Sequence, residues 1–131
     1  MKTITDALRV SEFVSEKAGV LFHPPFTCMG IEKDGEIIAG VVFNMFEGAD
    51  IHASVARKGW TRGFLADVGE YVFNVLGCER ITAVTEQHEI VRFAERLGGQ
   101  VEGCLRSHFG KGRDAFVVGI LRHEWRFKAG G

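Results

Sequence analysis

Apolar residues at the start of the chain recur at helical spacing. Ile4, Ala7, Leu8, Val14 and Ala18 alternate with charged and polar residues, which predicts a helix from about Thr5 to Lys17, ended by Gly19. Pro24-Pro25 then rules out regular structure. Extended patterns come next. Cys28 to Glu32 reads as a strand, Asp34-Gly35 as a hairpin turn, and Glu36 to Phe46 as a long, largely apolar and therefore central return strand. Glu47-Gly48-Ala49-Asp50 makes a second turn into a strand from Ile51 to Val55. The first half is thus an antiparallel meander behind one helix.

The second half changes period. Phe64, Leu65, Val68, Val72, Val75 and Leu76 form one helical stripe, with Thr61 as N-cap and Gly77 as terminator. Arg80 to Thr85 reads as a fourth strand. Gln87 to Leu97 reads as a helix that turns Ile90, Phe93, Ala94 and Leu97 inward and stops at Gly98-Gly99. Val101 to Phe109 and Ala115 to Leu121 form a last hairpin across Gly110-Lys111-Gly112. The stretch from Arg80 to Gly103 is a compact βαβ unit, which needs a right-handed crossover and two strands of one direction. The order α-ββ-β-α-β-α-ββ defines a mixed α/β (α+β) sheet. Such sheets leave a crevice where strand direction changes.

Composition narrows the class. The 131 residues fit one domain, with 46% apolar and 25% charged residues and eleven Phe to fill a core. Lys+Arg (16) against Asp+Glu (17) gives a net charge of −1, which argues against a nucleic-acid partner. No run of roughly 18 apolar residues is present, so no membrane span is expected. The N-terminus lacks the apolar centre of a secretion signal. Cys28, Cys78 and Cys104 are odd in number and widely spaced, which reads as reduced, mostly buried thiols in a cytoplasmic protein without a metal.

The loop Arg57-Lys58-Gly59-Trp60-Thr61-Arg62-Gly63 joins a strand to a helix start. Helix N-terminal N–H groups, a close-approaching glycine and three cations suit a phosphate or pyrophosphate; an ordinary βα loop with solvated basic side chains has the same pattern.

Several short motifs share the order and spacing of the GNAT superfamily, the acyl-CoA-dependent N-acyltransferases. They are Phe73-Asn74-Val75-Leu76-Gly77, Arg80-Ile81, Glu95-Arg96-Leu97-Gly98-Gly99, Glu102-Gly103-Cys104-Leu105-Arg106, Asp114 and Leu121-Arg122-His123-Glu124-Trp125. From Cys28 to Trp125 the chain resembles that family, and most of all the branch with ribosomal-protein and antibiotic acetyltransferases. Its small size and short N-terminus resemble phage or prophage versions. The resemblance implies a single GNAT-like domain, residues 1–131, with a V-shaped opening between the third and fourth strands. Acetyl-CoA would lie there as co-substrate, its pantetheine arm on the backbone of His52 to Val55, Ser54 and Val55 included. Its pyrophosphate would rest on Lys58 to Gly63, with Arg57, Lys58, Gly59, Trp60, Thr61, Arg62 and Gly63 as the binding set. Transfer to a primary amine would be direct, without a covalent enzyme intermediate. The chain departs from the family at Ala56 and Thr61 in the loop pattern, at Gln87 in place of Asn, and at Ala94 where many members carry a Tyr.

The chemistry needs a base for the amine proton. His52 and Ser54 share one face of their strand, opposite Ile51, Ala53 and Val55. If that face lines the cleft, His52 is the leading base, with Glu47 or Asp50 as rivals and Ser54 beside it; otherwise His52 caps a solvated sheet face. Glu86 and His88 either bind the acceptor or stabilise a helix N-terminus, and His108 and Phe109 precede a turn that reaches substrate. Cys78 and Cys104 have no His at a spacing that argues for nucleophilic attack. Trp60 packs over the loop or into the core, and Trp125 belongs to the core or a dimer contact. The expected protein is a cytoplasmic N-acetyltransferase acting on a small-molecule or peptide amine, with a homodimer in keeping with the family. Two rivals stand beside it: a non-catalytic acyl-CoA-binding or assembly protein on the same scaffold, and a nucleic-acid modifier using Arg57, Lys58, Arg62 and Arg92.

Overall fold

A computed structural model describes residues 1–56 and 60–127. The elements are β1 (Lys2–Ile4), α1 (Ala7–Ala18), β2 (Phe26–Lys33), β3 (Glu36–Asn44), β4 (Asp50–Ala56), α2 (Arg62–Gly69), β5 (Arg80–Thr85), α3 (His88–Arg96), β6 (Gln100–Leu105) and β7 (Ala115–Leu121). A π-helical segment, Glu70–Val75, continues α2, and a 3-10 turn, Arg122–Glu124, comes after β7. The seven strands form one mixed sheet in the order β1-β2-β3-β4-β5-β7-β6. The meander β2-β3-β4 is antiparallel, and β4 pairs in parallel with β5. This is the mixed α/β architecture the hydrophobic pattern predicts.

β6 ends at Leu105, and residues 106–109, read as strand up to Phe109, belong to the turn. Three further details differ from the reading of the pattern. Residues Lys2–Ile4 form a strand against β2, so Ile4, counted in the helical stripe, lies outside the helix. The helix begins after Asp6, whose carboxylate accepts the Arg9 N–H at 3.1 Å as an N-cap. Counting the stripe from Ile4 therefore misplaces its phase: Leu8 is 69% exposed, and Val10, Ser11 and Val14 face the sheet. In the βαβ unit, β5 and β6 run in one direction, but β7 lies between them and pairs antiparallel with both. The π-helical segment is the third difference. Leu76 N–H bonds to the Tyr71 carbonyl five residues back, and the wider turn carries Val75 out of the apolar stripe to 68% exposure.

The core lies mostly on the sheet face covered by α2 and α3. Ile51, Val41, Phe43, Ile81, Val118 and Ile120 meet Phe64, Leu65, Val68, Val72, Phe93 and Leu97 there. A smaller cluster under α1 joins Val10 and Val14 to Cys28, Val42 and Ala56. Val10, Val14, Val42 and Val72 are completely buried, and each such side chain contributes about 1.5–3 kcal/mol of burial. Trp125 is core: it packs on Phe73 at 5.9 Å and donates Nε1–H to the Phe127 carbonyl at 2.7 Å. Arg122 closes the end of the π-helical segment by donating to the carbonyls of Phe73 and Cys78.

Gly98 is the sharpest backbone requirement. Its φ is +120°, and an added Cβ would stand 2.0 Å from the Glu124 carbonyl oxygen. Neither strain nor clash can relax through a side chain. Gly98→Ala is expected to cost about 2–4 kcal/mol in a denaturant unfolding titration, with α3 and β6 otherwise intact.

Candidate functional site

β4 and β5 begin paired and then part. Asp50, Ile51 and His52 stand opposite Arg80, Ile81 and Thr82, and the pairing ends there. Each strand keeps its other neighbour: β4 holds β3 as far as Ala56 opposite Gly40, and β5 holds β7 as far as Thr85 opposite Phe116. The parted segments line a narrow slot of about 30 Å³. Its walls are Ala53, Ser54 and Val55 on one side and Ala83, Val84 and Thr85 on the other. Glu86, Gln87 and Ile90 also line it, as do Ala18, Val20 and Phe109. Val55, Gln87 and Ile90 also line a wider bay of about 400 Å³ beside Lys17, Glu36 and Glu89.

His52 and Ser54 share the α1 face with Ala56, while Ile51, Ala53 and Val55 pack toward the main core. His52 therefore stands at the last paired position, the vertex of the slot, half-buried, and Ser54 lines the slot itself. Asp50 is two residues before His52 on the same face. Its Oδ2 lies 3.9 Å from His52 Nε2, and its Oδ1 accepts the Thr82 hydroxyl at 2.7 Å. Glu47 is exposed in the turn before β4, at the end where the two strands stay paired, and its carboxylate lies away from the slot lining.

The other candidates have their own partners. The Glu86 carboxylate, at the end of β5, is gripped by Arg113 through two guanidinium nitrogens, one of them at 3.1 Å. That hydrogen bond first, and then the Arg113 charge, hold its carboxyl below the ordinary range. The pair ties the 106–114 turn over the mouth of the slot, where Phe109 forms part of the lining. A carboxyl depressed in the folded state supports the structure above its ordinary value and loses that support as pH falls through the lowered one. The carboxylate that Arg113 holds is thus ionised at neutral pH. His88 packs on Phe116 at 5.1 Å, and His108 packs edge-on against Phe109 at 4.8 Å; both rings are exposed.

Arg57, Lys58 and Gly59, central to the phosphate reading, lie outside the described residues. Beyond them, Thr61 caps α2, its hydroxyl accepting the Phe64 N–H at 3.1 Å and its carbonyl the Leu65 N–H at 3.0 Å. The Arg62 and Gly63 N–H groups then head the helix, where no helical carbonyl reaches them. Trp60 is a core residue: it meets Phe64 at 4.8 Å and Phe93 at 5.3 Å, and its Nε1–H donates to the Ala56 carbonyl at 2.9 Å. The Arg62 guanidinium rests over Phe127 at 5.6 Å.

Thiol chemistry is absent from the slot lining. Cys28 is buried, and desolvation, with a smaller push from Asp6, raises its thiol to about 11. Cys78 is fully buried and also shifted upward by desolvation. Cys104 is exposed on β6. Among the described residues, no group of three or more His, Cys, Asp or Glu is placed to hold a metal ion, and no helix is long and apolar enough to cross a membrane.

Comparison with solved structures places this geometry. The chain superposes on the spermidine/spermine N-acetyltransferase SpeG from Vibrio cholerae, solved with manganese ions, with a TM-score of 0.71 and 15% identity over 92% of each chain. The dodecameric spermidine N-acetyltransferase from Vibrio cholerae matches with a TM-score of 0.63 and 19% identity, over 76% of this chain and 66% of that one. The fold is that of the GNAT acetyltransferases. No protein-family model matches the chain, and no curated protein matches it by sequence.

The structure adds residues to the site that the sequence reading did not name there. Ala18, Val20 and Ile90 line the slot, and Thr82, Arg80 and Glu102 form a polar chain behind His52. The signal for Arg80 and Thr82 was visible in Arg80-Ile81-Thr82-Ala83: polar side chains at alternate positions of an interior strand require polar partners.

This geometry has two measurable consequences. Iodoacetamide at neutral pH should add one adduct to the folded chain, at Cys104, and three after denaturation, read by intact mass. Glu86→Gln at neutral pH should raise amide hydrogen exchange in residues 107–113 severalfold and leave α1 unchanged.

Proposed function

We propose that this protein is an N-acetyltransferase that moves an acetyl group from acetyl-CoA directly to a primary amine. The observation that carries the reading is the parting of β4 and β5 beyond His52 and Thr82. It leaves extended backbone with N–H and C=O groups turned toward a slot, and such groups take up a peptide-like chain as another strand would. The pantetheine arm of acetyl-CoA carries peptide-like amides, and Ser54 and Val55 with Ala83 to Thr85 would hold it. The Thr61-capped start of α2, with the Arg62 and Gly63 N–H groups and the dipole behind them, would hold the pyrophosphate, together with Arg57, Lys58 and Gly59. When bound, acetyl-CoA supplies an activated acyl carbon with a thiolate leaving group.

The chain's own residues act on the acceptor. An amine entering from the α1 face passes Ala18, Val20 and Phe109, a small and mostly apolar frame, and would approach His52 at the last paired position, one residue before the first lining residue of β4. His52 takes the amine proton, and Ser54, on the same face, is a hydrogen-bonding partner for the acceptor. The latched turn between β6 and β7 screens this approach from water through Phe109. The two solved neighbours are named for spermidine and spermine, and a small-molecule amine is the acceptor class proposed here.

One observation favours a second reading, an acyl-CoA-binding protein without turnover. Ala94 stands where many relatives place a tyrosine, and the single Tyr of the sequence, Tyr71, is engaged with Thr27 Oγ1 at 2.8 Å and is not part of the slot lining. A phenol to protonate the leaving thiolate is therefore missing, and solvent or the His52 imidazolium must serve.

Both readings require acetyl-CoA to bind. At a hundredfold excess over Kd it should stabilise the fold by about 2.7 kcal/mol, seen as a rise of several degrees in Tm. Ser54→Trp should fill the slot and remove that rise while leaving the unliganded Tm within a few degrees. Amine-dependent thiol release across a panel of small amines supports the transferase. Binding with no release supports the second reading, and no binding sinks both.

A further inference from the structure

A row of polar side chains crosses the α1 face of β4, β5 and β6 and ends at His52. The Thr82 hydroxyl donates to Asp50 Oδ1 at 2.7 Å and accepts from Arg80 Nε at 3.0 Å. The far end of Arg80 grips the Glu102 carboxylate, with Nη1 at 3.3 Å. This pair crosses β7, which lies between their strands, and does so over Gly119. A Cβ at Gly119 would stand 2.4 Å from both Arg80 Nη2 and Glu102 Oε2. A bulge in β6 between Val101 and Gly103 accommodates Glu102 in this position. Thr82 is 6% exposed, and no described buried side-chain polar atom lacks a partner. The row is thus a fixed assembly whose last member, Asp50, has one oxygen held and the other turned to His52 Nε2.

We propose that Asp50 is the positioning residue for His52, held by Thr82 and Arg80 so that its Oδ2 selects the Nε2–H tautomer and leaves Nδ1 to receive the amine proton. The proposal rests on the reading of His52 as the general base. As the amine nitrogen bonds the acetyl carbon and the carbon–sulfur bond breaks, one amine proton passes to Nδ1, and a proton is returned to the leaving thiolate. No other reactant is needed. The 3.9 Å separation in the resting chain is an ion-pair distance, longer than a hydrogen bond, and such contacts tighten when substrate is bound. The surroundings suit the role. Asn44, the neighbour on β3, is uncharged; β5 contributes Arg80, which Asp50 and Glu102 offset; and α1 turns Val10, Ser11 and Val14 to the sheet.

Long-range 1H–15N correlation of the His52 ring, taken at about pH 8 where histidine is ordinarily neutral, tests this without any turnover. The wild-type chain should show the Nε2–H tautomer. Asp50→Asn keeps its oxygen on Thr82 and turns an N–H toward the ring, so it should show Nδ1–H. Thr82→Val frees the carboxylate without removing it and should show a mixture; it carries the test if Asp50→Asn fails to fold. The same tautomer in all the folded variants overturns the proposal. In turnover, Asp50→Asn should lower kcat roughly 10- to 100-fold, with KM for acetyl-CoA within about twofold. A dead His52→Gln beside a fully active Asp50→Asn removes the positioning role and leaves the base in place. A His52→Gln variant with wild-type kcat removes the base reading, and this proposal with it.

Discussion

The structure turns on one failure of pairing. β4 and β5 are parallel neighbours for three residues and then diverge, though both continue as strands. Strands that leave one partner must keep another, because each freed backbone group that is shut away from water costs about 1–3 kcal/mol. Here β3 holds β4 and β7 holds β5 to their ends, so the sheet opens without either strand dissolving. The cost is limited because the slot is open to solvent, and the Trp60 indole satisfies the Ala56 carbonyl where β4 ends. Everything assigned to acetyl-CoA depends on this opening, since a ligand with amide groups recovers pairing that the sheet gives up.

The vertex of the opening is also where polar chemistry is concentrated. Asp50, His52, Arg80 and Thr82 all come from the paired residues just below the divergence, and all lie on the same face. Arg80 and Glu102 are partly exposed, at 28% and 40%, so their ion pair contributes at most about 1 kcal/mol to stability. The value of such a pair lies in direction. With Glu102 taking the outer nitrogens of Arg80, its Nε is committed to Thr82, and Thr82 to Asp50. A weak ion pair at the sheet margin is thereby linked, through Arg80 and Thr82, to a half-buried carboxylate three strands away.

Local chemistry made much of this legible in the sequence. Arg80–Thr85 and Ala115–Leu121 have the boundaries the pattern predicts, Thr61 caps α2, and Ile90, Phe93, Ala94 and Leu97 are all buried. Each depends on residues within a few positions of one another. What escaped depends on distance along the chain. β1 is three residues long and has no period to read; it exists because Lys2–Ile4 find β2. The entry of β7 between β5 and β6 is a choice of strand order that no local pattern encodes. The Thr82–Asp50 and Arg113–Glu86 contacts join residues 32 and 27 positions apart, so a reading of spacing along one strand named His52, Ser54 and Asp50 as candidates but not the Thr82 and Arg113 contacts.

The balance between transfer and mere binding rests on what the slot contains. A protein that only held acyl-CoA would need the opening and the helix start, and nothing at the vertex. The vertex instead carries an imidazole with a carboxylate 3.9 Å away, and that carboxylate is tied to a buried threonine. Burying a hydroxyl such as that of Thr82 is unfavourable unless it has partners, and the chain supplies Asp50 and Arg80, with Glu102 reaching Arg80 over Gly119, where a side chain would clash. The thiols point the same way. Cys28 and Cys78 are buried with their ionisation suppressed, and Cys104 sits on the outer strand, away from the slot lining, so no enzyme thiolate is placed to intercept an acyl group. If His52 is the base proposed above, the arrangement orients it and keeps the thiols away, as direct acetyl transfer requires, and the missing tyrosine would bear on how fast the thiol is released rather than on whether the amine is activated.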